Sequence, residues 1–372
     1  MKIAIHASDL DHDRIDGTRV YILSMLGQFG KLAPEDDFLI YHKTAFNSEL
    51  TPPEFENYKI KALGRFPAWT HTKFAWEIFK KKPEVLWIGL HNLPWFRRPS
   101  LKTVVTIHDL AFKFFPEYFT RKDLFKLNLL ADHAIKKADK IIAISNSTKK
   151  DILKLYPEVS VEKISVVHHG FNAELFQKEI PLEDSARILE TYNLKPETYL
   201  LYIGAIQPRK NLEVLISAFE KIKESKPELK LVFAGEKAWM WEGVAKRIEN
   251  SSFKKDIIIT GKVPFCDMPV LLKNASIFVF PSLYEGFGIP VLEAFASGVP
   301  VICANNSSLP EVGGDASLYF EGNSATDLQE KIQSILESPA LREELVKRGT
   351  ERVKEFSWEK CAKSTLDIIK KK

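Results

Sequence analysis

Two short segments carry the residue types that could hold an anion beside a hydroxyl-bearing group. The first is YEGFGIPVLEAFASGVPVI, residues 284–302. It follows the apolar run Ile277–Phe280, which reads as a strand ending at Pro281. The loop carries Gly286, Phe287 and Gly288, and the spacing predicts a helix that starts at Pro290 and stops before Gly298. Glu285 then lies in the loop and Glu293 in the first turn of the helix, at one end of the sheet. Glycines let the backbone approach a ligand closely, and a helix start offers N–H groups to sugar or phosphate oxygens. Carboxylates accept hydrogen bonds from sugar hydroxyls, which N–H groups cannot do. A simpler role for Glu293 alone is to complement the helix dipole.

The second segment is GAIQPRKNL, residues 204–212, between the strand Tyr199–Ile203 and a following helix. Gly204, Arg209 and Lys210 thus lie just past a strand end. Adjacent cations at a helix start are unfavourable unless an anion is present. There they suit a diphosphate leaving group, whose charge grows as its bond breaks. In the first half, TIHDLAF places His108 and Asp109 directly after a strand, where a histidine could donate to a transferring sugar or orient an acceptor. Gly17 and Arg19 follow the first strand, a weaker signal for backbone approach to phosphate. His168 and His169 read as structural, and Ser145, Asn146 and Ser147 as helix-capping residues. The chain has no Walker loop, no GxSxG elbow and no aspartate-x-aspartate pair that would hold a divalent ion on a diphosphate.

Apolar strands must alternate with helices to position these residues. Lys2–His6, Phe38–Tyr41, Val85–Ile88, Lys102–Ile107, Lys140–Ile144 and Ile164–Val167 read as strands, with helices over Arg19–Lys31 and Leu124–Lys137. The pattern then begins again, with strands Tyr199–Ile203, Lys230–Phe233, Asp256–Thr260, Ile277–Phe280 and Pro300–Cys303. Helices are expected at Asn211–Lys223, Met268–Asn274, Pro290–Ser297, Ala325–Glu337 and Ala340–Glu355. Strands apolar on both faces and separated by helices indicate parallel sheets covered on both sides. The reading is an α/β chain of two Rossmann-like doubly wound domains facing across a cleft, with the junction between Gly170 and about Pro196.

Among 372 residues, 45% are hydrophobic and 27% charged, as in an ordinary globular protein. Cys266, Cys303 and Cys361 are widely spaced in apolar surroundings and form neither a disulfide framework nor a metal cluster, which suits a reducing cytoplasm. The N-terminal MKIAIHASDLDHD runs into charge too soon for a signal peptide and reads as a first strand. The net charge of +4 argues for no nucleic-acid partner. It is uneven, with residues 1–180 the more basic part. Lys80, Lys81, Lys82, Arg97 and Arg98 sit beside Phe74, Trp76, Phe79, Trp95 and Phe96. That interleaving reads either as a solvated face beside buried aromatics or as a peripheral contact with anionic lipid headgroups at the inner membrane face.

From its first strand to its C-terminus the sequence resembles the retaining glycosyltransferases of family 4, which have the two-domain GT-B fold. The resemblance rests on EGFGIPVLEAFASGVPVI, QPRKN at 207–211, IHD at 107–109, ISNST at 144–148 and HHGFN at 168–172. It implies that Glu285 and Glu293 contact the donor sugar and the nucleotide ribose, with Gly204, Gly286, Phe287, Gly288 and Leu292 lining the donor site. It further implies that Arg209 and Lys210 bind the diphosphate and that His108 approaches the donor sugar. The domains it implies are residues 1–180 for the acceptor and 181–355 for the nucleotide sugar, with residues 356–372 a helix returning to the first. No metal and no cofactor are expected beyond the nucleotide-sugar co-substrate. The IHDLAF segment looks most like bacterial mannosyltransferases, which favours GDP-mannose as donor and a saccharide or lipid-linked saccharide as acceptor. Other readings are a UDP-sugar-dependent glucosyl or N-acetylhexosaminyl transferase, a nucleotide-sugar 2-epimerase, and a non-catalytic nucleotide-sugar binding protein. Two departures stand out: the first loop, DGTRVY, has Gly17 alone, and Thr148 replaces the second serine of a Ser-x-x-Ser pattern.

Overall fold

The computed structural model describes residues 1–13 and 15–371. It divides into two compact units, Met1–Gly170 with Ser357–Lys372, and Phe171–Phe356. Residues 171–180 thus go with the second unit.

The first unit holds a seven-stranded parallel sheet of β1 (Lys2–His6), β2 (Asp37–His42), β3 (Tyr58–Ala62), β4 (Val85–Ile88), β5 (Lys102–Ile107), β6 (Lys140–Ala143) and β7 (Ile164–Val166). Their order is β3-β2-β1-β4-β5-β6-β7. Alternate residues feed opposite faces, so Val85 and Trp87 join one core while Leu86 and Ile88 join the other. Helix Gly17–Leu32 covers one face together with the last helix, Trp358–Lys370, whose Cys361, Ala362, Leu366 and Ile369 are buried with Met25, Leu26 and Phe29. Lys102 Nζ donates to the Ile368 and Ile369 carbonyls at 2.9 and 2.8 Å and so satisfies acceptors at that helix end. The last helix thus belongs to the first unit, which the chain re-enters at Ser357, while Phe356 stays with the second.

The second unit holds a six-stranded parallel sheet of β8 (Tyr199–Ile203), β9 (Lys230–Ala234), β10 (Ile257–Gly261), β11 (Ile277–Phe280), β12 (Val301–Ala304) and β13 (Ser317–Phe320). The order β10-β9-β8-β11-β12-β13 is that of a Rossmann sheet. In each unit the chain direction across the sheet reverses once, between β1 and β4 and between β8 and β11. Ligands in such sheets bind beyond the carboxyl ends of the strands at this switch point.

Two strands escape the sequence pattern, β3 and β13, and both lie at a sheet edge. In β3 the residues after Tyr58 are exposed and Lys59 and Lys61 interrupt the apolar run, a usual device for blunting an edge. Cys303 and Cys361 are buried, whereas Cys266 is exposed, so its surroundings are not the apolar ones expected. No helix is long and apolar enough to cross a membrane among the described residues.

Candidate active site

The segments after β8 and β11 meet at the switch point of the second sheet. After β8 the backbone turns at Gly204, whose φ of +146° lies where side chains are rarely tolerated. A Cβ on neighbouring Gly235 would stand 2.0 Å from the Gly204 carbonyl oxygen, so both positions require glycine. A short 3₁₀ turn, Pro208–Lys210, follows and delivers the two cations. After β11 the loop carrying Glu285 leads to Gly288, with φ +113°, which caps helix Ile289–Ala296.

The anion that the Arg209–Lys210 pair calls for is Glu285. Lys210 Nζ donates to Glu285 Oε1, and Arg209 stands 3.7 Å from Oε2 while also donating to the Tyr284 carbonyl. The Leu283 N–H in turn donates to the Arg209 carbonyl at 2.9 Å, tying the two loops together. All three side chains are well buried. Burial alone would raise the Glu285 carboxyl, but the charges of Lys210 and Arg209 outweigh it and hold the group below its ordinary range. Lys210 also stands 5.5 Å from the Phe280 ring centroid. The cluster is thus ionised, buried and net positive by one charge.

Its scaffold comes from a segment that sequence reasoning passed over. The Glu285 N–H donates to Ser307 Oγ at 3.0 Å, and the single Ser308 hydroxyl proton is shared between the carbonyls of Glu285 and Phe287, 2.9 and 2.7 Å from Oγ. Ser307 takes a left-handed φ of +48° to do so. The available signal was four polar residues, Asn305–Ser308, directly after the end of β12.

Glu293 differs from the expectation. The helix begins at Ile289, with Pro290 in its second position, so Glu293 lies in the second turn and away from the N-terminal dipole. Its carboxylate has no hydrogen-bond or ionic partner among the described residues, and burial alone pushes its pKa up to about 8. A carboxyl that is neutral at pH 7 can both donate and accept hydrogen bonds. The side chains of Phe287 and Leu292 are buried, Phe287 against Phe356 with ring centroids 5.8 Å apart. A ligand can therefore meet these two residues only through the backbone, as with Gly286 and Gly288.

In the first unit, His108 follows β5 with its Nε2 2.7 Å from the Gly89 carbonyl. A carbonyl only accepts, so Nε2 carries the proton. Burial lowers the pKa of the ring and keeps it neutral, which leaves Nδ1 as an acceptor. The ring can therefore offer a ligand only Nδ1, as an acceptor, where the sequence suggested a donor. His169 packs against Tyr21, His108 and Trp358 with ring centroids 4.6, 5.3 and 5.5 Å away, the structural place expected of it. Asp109 accepts from the Ala111 N–H at 3.0 Å and shapes the local turn. Gly17 opens its helix behind the Asp16 cap, and a Cβ there would meet nothing within 4 Å. Arg19 is held by the Asp16 carboxylate and the Asp9 carbonyl, which occupies the cation that phosphate would have used. Sequence reasoning also missed His91, whose ring is lowered to about 4 by burial. Ser145 caps its helix at the Thr148 N–H, and the Thr148 hydroxyl reaches the His108 carbonyl at 3.3 Å.

The second unit can therefore hold an anionic group on its cations and helix start, beside carboxyls able to bind hydroxyls. Two family models match the chain, Glycosyltransferase Family 4 over residues 17–175 and Glycosyl transferases group 1 over residues 186–352. The O-antigen chain mannosyltransferase B of Escherichia coli is 32% identical over 270 residues, which span 72% of this chain and 70% of that protein. The serotype-specific mannosyltransferase WbdA of E. coli is 28% identical over 75% of this chain, which spans about a third of the WbdA length (34%). The crystal structure of Anabaena HepE in complex with UDP and glucose superposes with a TM-score of 0.76 at 14% identity, covering all of both chains, and shows the shared fold. With both models matched and a relative of this identity aligned over most of its length, the chain belongs to the family 4 glycosyltransferases.

Proposed function

We propose that this glycosyltransferase transfers a hexose, mannose from GDP-mannose, to a hydroxyl acceptor in polysaccharide or glycolipid assembly, with retention of configuration and without a metal ion. The observation that carries the reading is the buried Arg209–Lys210–Glu285 cluster at the switch point of the second sheet. In the structure Glu285 neutralises one of two cations. A donor diphosphate takes both cations, and Glu285 is then free to accept hydrogen bonds from sugar hydroxyls. The two cations supply counter-charge where a divalent ion would otherwise be needed. The mannosyltransferase relatives support the choice of sugar.

Among the described residues no carboxylate is placed as an obvious nucleophile, so the retention that the resemblance implies points to front-face displacement. The bond from sugar C1 to the phosphate oxygen breaks as the bond to the acceptor oxygen forms on the same face. The acceptor's proton passes to the leaving phosphate. His108, as a neutral acceptor, would orient a sugar hydroxyl rather than protonate the leaving group.

The two basic segments of the first unit also expose aromatics. Trp76, Phe79, Trp95 and Phe96 are 69%, 52%, 49% and 84% exposed, whereas Phe74 is buried. These exposures favour a peripheral membrane contact over a merely solvated face, in keeping with a lipid-linked acceptor.

The test is the melting temperature in GDP, UDP and ADP, with and without EDTA. Ligand at 100 times its dissociation constant adds about 2.7 kcal/mol, a shift of a few degrees. Stabilisation by GDP alone, indifferent to EDTA, is expected. Preference for UDP would replace the donor, and loss of binding in EDTA would end the metal-independent reading. Retention is checked by the anomeric configuration of the product.

A further inference from the structure

His108 offers a ligand one acceptor, Nδ1, and the direction of that nitrogen depends on how the ring is held. The hydrogen bond to the Gly89 carbonyl fixes a single atom, Nε2, at 2.7 Å from the oxygen. A ring held at one atom can tilt about it, and Nδ1 swings with the tilt. To keep Nδ1 in one direction, other groups must pack against the ring.

Two buried rings do so. Tyr21 meets His108 edge-on, with centroids 5.0 Å apart and planes at 83°. His169 lies nearly flat against it, at 5.3 Å and 29°. Edge-to-face and offset-stacked contacts are the arrangements that aromatic rings favour. Tyr21 and His169 also touch each other at 4.6 Å and 76°, which closes a triangle of three rings.

Both supports are anchored in turn. Tyr21 Oη lies 3.1 Å from Thr106 Oγ1, and Thr106 stands on β5 two residues before His108. Tyr21, on helix Gly17–Leu32, is thus registered on the strand that delivers the histidine. His169 follows β7 and is braced by the Trp358 ring at 5.5 Å and 87°. A Cβ on the next residue, Gly170, would stand 2.1 Å from the Trp358 nitrogen, so the two backbones touch there and glycine is required. Gly170 is where the chain leaves the first unit, and Ser357 is where it returns. His169 is therefore seated on both crossings at once.

The charge state suits the task. Burial, with the neighbouring imidazoles of His108 and His168, holds His169 well below the ordinary histidine value and leaves it neutral. A cation stacked on His108 would draw in the Nδ1 lone pair, whereas a neutral ring leaves it available to a hydroxyl.

We infer that His169 is a positioning residue of the transfer reaction, one that keeps the His108 ring from tilting and ties its orientation to the two chain crossings. The inference rests on the reading of His108 as the acceptor that orients a sugar hydroxyl.

The test pairs a measurement on the ring with one on the reaction. By ¹⁵N nuclear magnetic resonance of the histidines, His108 should be a single Nε2–H tautomer, its signal assigned by its loss in His108→Phe. His169→Leu removes the flat ring and should let His108 exchange between tautomers. His169→Phe keeps a ring and should restore the single form. Turnover is followed as GDP released from GDP-mannose, or UDP from UDP-glucose, with water as the acceptor. His169→Leu should lower kcat about tenfold with the donor KM unchanged, and His169→Phe should regain most of it. In the His108→Phe background the leucine change should cost nothing further, because a residue acting through His108 has nothing left to position.

Losses that multiply in the double variant overturn the assignment, as does a single His108 tautomer in His169→Leu. Should that variant not fold, His169→Asn, smaller and still polar, takes its place in both measurements. A slow His108→Phe beside a fully active His169→Leu overturns the inference and leaves the reading of His108 standing. Unaltered turnover in His108→Phe removes that reading, and His169 then holds a ring that does not serve the transfer.

Discussion

Lys210 and Glu285 are 75 residues apart in sequence, yet they form a buried ion pair at the switch point of the second sheet, their side chains only 11% and 12% exposed. β8 and β11 are neighbours in that sheet, so the loops that follow them are brought together. Breaking a buried pair from one side leaves an uncompensated charge and costs about 3 kcal/mol, whereas replacing both partners by apolar residues of similar size is often near neutral. Glu285→Ala leaves both Arg209 and Lys210 without their counter-charge and should therefore lower unfolding free energy in urea by about that much. Lys210→Ala leaves Glu285 paired with Arg209 and should cost less. Both variants should lose at least about a hundredfold in turnover. A variant that is stable and still active would remove its residue from the chemistry.

Glu293 gives the protein a pH dependence of its own. Its folded pKa of about 8 lies above the ordinary carboxyl value. Between roughly pH 4.5 and pH 8 the folded state therefore holds a proton that the unfolded state has lost. Stability from this group is complete below the unfolded value and is lost as pH rises through about 8. Relative to wild type, Glu293→Gln should melt similarly at pH 4.5 and higher at pH 8. Parallel melting curves across that range would show that Glu293 is not protonated in the empty site.

His108→Phe keeps a ring in place but removes both nitrogens. Turnover should fall by about ten- to a hundredfold, while the melting shift given by nucleotide is unaltered. Because burial lowers the pKa of His108, its protonation should limit activity only at pH below its ordinary 6.5. A limb in the rate profile near pH 7 that disappears in this variant would contradict the neutral ring.

Flotation with liposomes checks the exposed aromatic and basic residues. At low salt the protein should float with vesicles containing phosphatidylserine and remain behind with neutral ones. Trp76→Ser with Phe96→Ser should weaken the binding, since each contributes apolar area at the headgroup boundary. Raising the salt should release the protein, because each basic residue near such a surface contributes about 1 kcal/mol at most and is screened. Indifference to anionic vesicles would end the membrane reading.

Interior strands were legible because their residues are apolar on both faces, as in Tyr199–Ile203 and Ile277–Phe280. The edge strands β3 and β13 were not, since a half-exposed edge carries no such run. QPRKN and EGFG were each visible as polar segments after a strand. Ser307 and Ser308, which hold the Glu285 loop, looked like any turn.

Local sequence thus settled which segments are strands and helices, and which charged residues stand at strand ends, because burial pattern and turn chemistry are written within a few neighbours. Tertiary structure alone decided partners and protonation. Glu285 became the counter-ion of Arg209 and Lys210 through the order of the strands. Glu293 was buried by the packing around its helix and left without a cation among the described residues. His108 was turned from donor to acceptor by one carbonyl, that of Gly89. Each of these depends on distances between residues far apart in the chain, and a pKa follows such distances, not the residue type.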